Sequence, residues 1–371
     1  MTRPLLRWVW GIPLFLTLAA VLTPLQPGIS LGQVSGSVRA GAEAEPPDLG
    51  LPATFLTYEG THFRVHSDAS ASWTRGRMAL LERASHQLQR FCRHLGMAYE
   101  PPEEKLVCIF FDRYSDYADF ARRHDGMSTP WVAGYYAGRA NHVVYYNDAD
   151  APSVRAADAH LAEARGQLDL IRQRQSEASR DGNREAVEFY AAQRLQLESQ
   201  LRQEESRLRS AVRQSTDVKA VHEAVHLLAF NTGLQSRYHQ YPFWFTEGLA
   251  TCFETTTPGS AFGPDQDYAP RRERFQELLG NDELLPLTDF VALTDVPDDC
   301  ADTADVMYHQ AYSLLMYLHR YKKRELRQYL ESIKVEPPGE IDGARQQALF
   351  AASFGPIEAL ERRWRKHEAK R

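Results

Sequence analysis

His222-Glu223-Ala224-Val225-His226 sets two imidazoles four residues apart, and no other feature constrains this chain's fold as strongly. On an α-helix that separation is one turn plus about 40°, with a rise of roughly 6 Å. Two histidines so placed can close on one metal ion from the same face. Glu223 stands beside them, offset around the helix, where it can take a proton from an activated water without being a ligand. Downstream, Trp244-Phe245-Thr246-Glu247-Gly248-Leu249-Ala250 supplies Glu247 as a third candidate ligand. Hydrolytic zinc sites take three protein ligands and keep one position for water. His222, His226 and Glu247 complete a two-histidine, one-glutamate set. A chain with 13 histidines would carry the His-Glu-x-x-His pattern by chance with odds of roughly 3%. The weight therefore falls on context: a plausible helix, then a glutamate on a second one.

The rest of the composition bounds the setting. With 371 residues, 43% hydrophobic and 25% charged, the chain can build a core without help from metal or disulfides. A net charge of -6 argues against a nucleic-acid surface, which is normally basic. The basic run Arg362-Arg363-Trp364-Arg365-Lys366 is local and reads as a solvated helix face or a tail. Arg3 and Arg7 precede an apolar run from Trp8 to Leu22, broken by Pro24 and Pro27. Residues 1–33 are read as a secretory signal or an uncleaved N-terminal anchor. The protein is thus expected to be exported: periplasmic, secreted, or held at a membrane through that segment alone. Cys92, Cys108, Cys252 and Cys300 fix no connectivity, and both one disulfide and buried free thiols stay open.

Residues 34–53 are read as a linker. Residues 54–152 form an α/β part: a strand at His62–His66, a helix over 72–95, and a buried strand at Leu106–Phe111. A helix from Tyr114 to Arg123 and a hairpin from Val132 to Tyr146 complete it, in the order β-α-β-α-β-β. Residues 153–215 are dense in Arg, Gln, Glu and Ala. Leu161, Ala164, Leu168 and Ile171, then Leu197, Leu201, Leu208 and Val212, follow helical stripes either side of a turn at Arg180–Asn183. They predict an inserted coiled-coil hairpin, either an arm for a protein partner or for restricting substrate, or a solvated spur. Residues 216–371 hold the metal-binding helices and a helical C-terminal part. Thr216 or Asp217 is the expected cap of the metal helix, and Gly233 its end. A second helix starts near Phe243, after Pro242. A loop follows over 255–270, and Met307 to Tyr321 is the clearest later helix.

The segment His222 to Glu254 resembles the active-site block of the gluzincin metallopeptidases, the thermolysin and aminopeptidase N group. It looks closer still to a bacterial domain family of unknown function in the same peptidase clan, abundant in planctomycetes. Phe63-Arg64-Val65, Trp131 with Gly134, His222 to His226, Trp244 to Ala250, and Tyr308-His309-Gln310-Ala311 carry the likeness in that order. It spans roughly residues 54–366 and is interrupted by the hairpin. The resemblance implies an α+β, zincin-like metallopeptidase fold with a small mixed sheet. It also implies one zinc ion per chain on His222, His226 and Glu247, and Glu223 as general base. In aminopeptidase N-like enzymes a tyrosine of a Tyr-x-x-Gly motif stabilises the oxyanion. Tyr308 matches in part, with Ala311 in place of the glycine, and His309 is its neighbouring alternative. The strand His142–Tyr146 would be the sheet edge that receives an extended peptide, or a plain structural strand.

Around this set, Glu254 can orient a ligand or form a structural salt bridge, and Thr251 is a weaker candidate for the same support. Cys252 is expected to be buried packing rather than a ligand, and His239 and His319 to be at the surface or structural. The expected function is zinc-dependent hydrolysis of a peptide or protein substrate by Glu223 and Tyr308. The rivals are a non-catalytic zinc-binding envelope scaffold that recruits a partner through the coiled-coil arm, and a structural protein with a fortuitous motif.

Overall fold

The computed structural model describes residues 49–127, 133–297 and 300–371. The signal or anchor of residues 1–33, most of the 34–53 linker, and Trp131 lie outside them. Leu106–Phe111 forms β3, the centre of a small mixed sheet. Beside it run β2 (Phe63–Ser67) and β5 (His142–Tyr146), both parallel to it. Two antiparallel strands finish the sheet: β1 (Leu56–Glu59) against β2, and β4 (Gly134–Ala137) against β5. The order is β1-β2-β3-β5-β4, so the chain is α+β with one strand more than the sequence pattern gives.

β3 is a continuous apolar run because both of its faces are covered. Cys108 and Phe110 enter one core, with α1 (Ala71–Leu95) and the end of α4 (Arg184–Asn231). Ile109 and Phe111 enter another, with α2 (Tyr114–His124) and the base of α3 (Pro152–Arg180). β5 divides the same way, Val143 and Tyr145 against Val144 and Tyr146. β5 is also inside the sheet. The strand that ends it beyond β5 is β4, which packs against α4, so the expectation of an edge at His142–Tyr146 is corrected to Gly134–Ala137.

The inserted hairpin forms with its turn where the sequence signals it. Gly182 takes φ +68, and Asn183 caps α4 by accepting from the Ala186 amide at 3.0 Å. Leu161, Ala164 and Leu168 meet Leu201 and Leu208 between the arms, flanked by Arg165–Glu205 and Arg172–Glu198 pairs. The helix that carries His222 and His226 does not begin at Thr216 or Asp217. It is the far end of α4, 48 residues without a break and about 72 Å long at ~1.5 Å per residue. The Thr216 hydroxyl donates back to the Val212 carbonyl at 2.9 Å, and Asp217 pairs with Arg77 of α1. Neither caps because neither meets a helix start. Gly233, with φ +81, turns the chain out of the helix, as its position implies.

The helical remainder comprises α5 (Phe243–Phe253), α6 (Ala269–Gly280), the short α7 (Leu287–Phe290), α8 (Ala301–Tyr321), α9 (Lys323–Lys334), α10 (Gly343–Phe354) and α11 (Ile357–Glu368). The basic run lies on α11, where Trp364 is buried and donates to the Ser313 hydroxyl at 3.1 Å. All four cysteines are free, and Cys300 alone is exposed. No helix among the described residues is long and apolar enough to cross a membrane.

Candidate metal centre

His222, Glu223 and His226 occupy successive turns near the end of α4, where every residue from Val218 to Ala229 is buried. Glu247 arrives on α5, one turn past Pro242, which opens that helix from outside with φ -68. One ligand atom each from His222, His226 and Glu247 lies within 4.8 Å of the others. His222 Nε2 is 3.1 Å from Glu247 Oε2, and His226 Nε2 is 3.3 Å from the same oxygen. The two imidazoles stand edge to face, with centroids 4.9 Å apart. None of the three residues is more than 3% exposed.

The electrostatics favour a positive charge at this point. Burial pushes the His222 imidazolium down, but hydrogen bonds to Glu247 and Glu254 outweigh it and lift the ring to about 10. Burial pushes the Glu247 carboxyl up, and His226 and His222 hold it down at about 2. Glu223, Glu247 and Glu254 are all buried, and the Arg271 guanidinium pairs with Glu254. Two imidazole nitrogens and a carboxylate oxygen, in a buried pocket that draws positive charge, could hold a metal ion.

Glu254 is where the two expectations for it meet. Its Oε1 accepts from His222 Nδ1 at 3.0 Å and from Arg271 Nη2 at 2.6 Å, and its Oε2 accepts from Arg271 Nε at 2.7 Å. It both orients a candidate ligand and forms a buried ion pair. The Thr251 hydroxyl instead donates to the Glu247 carbonyl at 2.8 Å, within its own helix. Cys252 is packed beneath α8. His239 and His319 are structural, bonded to Ser236 and Glu336 and to Asp265.

Tyr308 of α8 reaches the same pocket. It is 2% exposed, its ring centroid is 6.2 Å from that of His222, and its Oη has no hydrogen-bond partner among the described residues. Burial, then the charges of Glu247 and Glu223, push the phenol well above its usual range, so it stays a neutral donor. His309 turns away: its Nδ1 donates to the Asp305 carbonyl at 2.7 Å. Ala311 sits where α8 crosses α5, with its carbonyl against Gly248. The lack of a side chain at Gly248 thus lets α5, which carries Glu247, approach α8, which carries Tyr308. Arg271 escaped the sequence reading, since nothing in Arg271-Arg272-Glu273-Arg274 marks one arginine as buried.

Residues 217–340 match the family model DUF1570, a protein of unknown function. The chain carries a DUF1570 domain. No curated protein matches the chain. The DUF1570 segment opens inside α4 and contains His222, Glu223, His226, Glu247, Glu254, Arg271 and Tyr308. The sheet and the arm lie before it.

Proposed function

We propose that this chain is an exported, zinc-dependent peptidase of gluzincin type, with a zincin-like arrangement of sheet and metal helix. The observation that carries the reading is the convergence of His222, His226 and Glu247 from two helices, with their donor atoms within 4.8 Å. Nitrogen and carboxylate donors in a set of three suit zinc better than calcium or magnesium, which prefer all-oxygen shells. A zinc ion held by these residues would supply an activated water and polarise the scissile carbonyl. Glu223 takes the water's proton on its carboxylate and delivers it to the leaving nitrogen. Tyr308 donates its phenolic hydrogen to the carbonyl oxygen as negative charge gathers there. Glu254 holds the Nδ1 hydrogen of His222, so Nε2 is the nitrogen that would give up its hydrogen and face a metal ion. An extended substrate would add to β4 rather than to β5.

A second reading rests on one observation. Glu223 is 0% exposed and the three candidate ligands hardly more, as in a non-catalytic zinc scaffold whose arm recruits a partner. A digest of an unbiased peptide library separates the two. The wild type should bind about one zinc per chain and cleave, and a chelator should stop cleavage. Glu223→Gln should keep zinc and lose turnover. Cleavage by Glu223→Gln at the wild-type rate refutes the peptidase reading, and zinc binding without any cleavage favours the scaffold.

A further inference from the structure

Arg271 is 7% exposed and lies in the first turn of α6, on neither helix that carries the candidate ligands. Its guanidinium forks onto both oxygens of Glu254, through Nε at 2.7 Å and Nη2 at 2.6 Å. Its third nitrogen, Nη1, stands 3.4 Å from His309 Nε2, and its Cζ is 5.7 Å from the centroid of the Tyr308 ring.

The hydrogens along this chain have one consistent direction. His309 Nδ1 donates to the Asp305 carbonyl, so its Nε2 is the acceptor that faces Arg271. Arg271 is donor only, and its fork fills one lone pair on each oxygen of Glu254. The lone pair left on Oε1 takes the hydrogen of His222 Nδ1 at 3.0 Å. The His222 ring is then fixed in the orientation that turns Nε2 toward Glu247. An arginine suits this place better than a lysine, because only the planar fork holds a carboxylate in one plane.

We propose that Arg271 is a positioning residue for the metal centre: it locks Glu254, Glu254 locks the ring of His222, and metal affinity depends on that lock. The proposal rests on the metal-binding reading of His222, His226 and Glu247, but not on the reaction assigned to it. Outer partners of metal-ligating histidines typically carry a 10–100-fold effect on affinity, roughly.

The test is zinc affinity, measured on the full chain by competition with a chromophoric chelator. Visible spectra of cobalt-loaded protein report ligand geometry alongside it. Arg271→Met should weaken zinc by about 10–100-fold and change the cobalt spectrum. Arg271→Lys, which keeps the charge without the fork, should recover only part of the loss. Glu254→Gln should weaken zinc to a similar extent, and the double variant should be no worse than either single one, because both remove the same lock. Should Arg271→Met fail to fold, Arg271→Lys and Glu254→Gln carry the comparison. Wild-type affinity in a folded Arg271 variant, or losses that simply add in the double variant, overturns the proposal while leaving the metal site intact. A wild type that binds no zinc overturns both.

Discussion

Gly248→Ala tests whether the crossing of α5 and α8 sets the site. A Cβ at 248 would lie 2.8 Å from the Ala311 carbonyl oxygen, 3.2 Å from its carbon and 3.3 Å from Leu315 Cβ. Carbon-to-oxygen contacts settle at roughly 3.3–3.6 Å, so the two helices must part by about half an ångström or more. The obstacle is backbone, which cannot swing aside as a side chain would. Alanine gains about 1 kcal/mol over glycine in a helix interior, and overpacking costs roughly 1–3 kcal/mol. The expected net effect is a loss of up to about 2 kcal/mol. Glu247 is the adjacent residue and moves with α5, so zinc affinity should fall as well, since such sites tolerate only ~0.5 Å of displacement. Gly166→Ala on α3 is the internal control: nothing lies within 4 Å of its Cβ position, and it should gain roughly 0.4–1 kcal/mol. Urea unfolding of the three metal-free proteins gives the comparison, read as midpoint shifts at constant slope. If Gly248→Ala is stabilised as much as Gly166→Ala, the close approach is not what fixes α5 on α8.

Tyr308→Phe removes a buried hydroxyl that bonds to nothing described; stability should hold or rise by up to ~1 kcal/mol. Peptide turnover should fall about 10²–10³-fold, and full activity would release Tyr308 from its assigned role. For pH, Asp305 ties α8 to α6 through two Arg274 contacts at 2.9 Å. Burial raises its carboxyl, but His309 and Arg274 bring it from the ordinary 3.8 down to about 2, worth at most ~2.5 kcal/mol. A depressed pKa gives stability that is whole above the unfolded value and is lost as the pH falls through the folded one. Asp305→Asn should therefore be less stable than wild type at neutral pH by up to ~2 kcal/mol, and the gap should close between about pH 4 and pH 2. A gap in the urea midpoints that stays constant over that range argues against the ion pair.

The parts of the fold legible in the sequence are those where local geometry decides. The stripe of α1, the doubly covered β3 and the Arg180–Asn183 turn all announce themselves within a few residues. β1 does not: Leu56-Thr57-Tyr58-Glu59 is a four-residue edge strand with three exposed positions, so no alternation marks it. The continuity of α4 was readable and easy to miss. No glycine or proline occurs between Arg184 and Asn231, yet Ser215-Thr216-Asp217 before an apolar run imitates a helix start. Capping residues cap only where the preceding chain is not already helical. In the site, His222 and His226 were legible because a spacing of four has one meaning on a helix. Glu254 was not. Extended along α5 it would stand two turns beyond Glu247, but α5 stops at Phe253 and Glu254 leaves it with ψ 140. The exit from the helix, not its periodicity, swings the carboxylate onto His222.

The unbroken helix also says what must hold the ligands in place. Each residue turns an α-helix by about 100°, so a slip of one residue along α4 would rotate His222 and His226 out of the pocket. The pins stand just ahead of them, where α4 passes from the solvated arm into the core. Asp217 pairs with Arg77 of α1, and the Lys219 ammonium, itself buried, reaches Asp148 Oδ1 at 2.7 Å and the Tyr146 carbonyl at 2.8 Å. Burying such charges contributes little net stability, because desolvation offsets most of the attraction. An apolar side chain would fill the space at less cost but could slide. A buried ammonium that left these two acceptors would lose both hydrogen bonds, so Lys219 holds the rotation of the helix one turn before Glu223. The arm and the candidate ligands share one rod, and these two ion pairs set how that rod is turned.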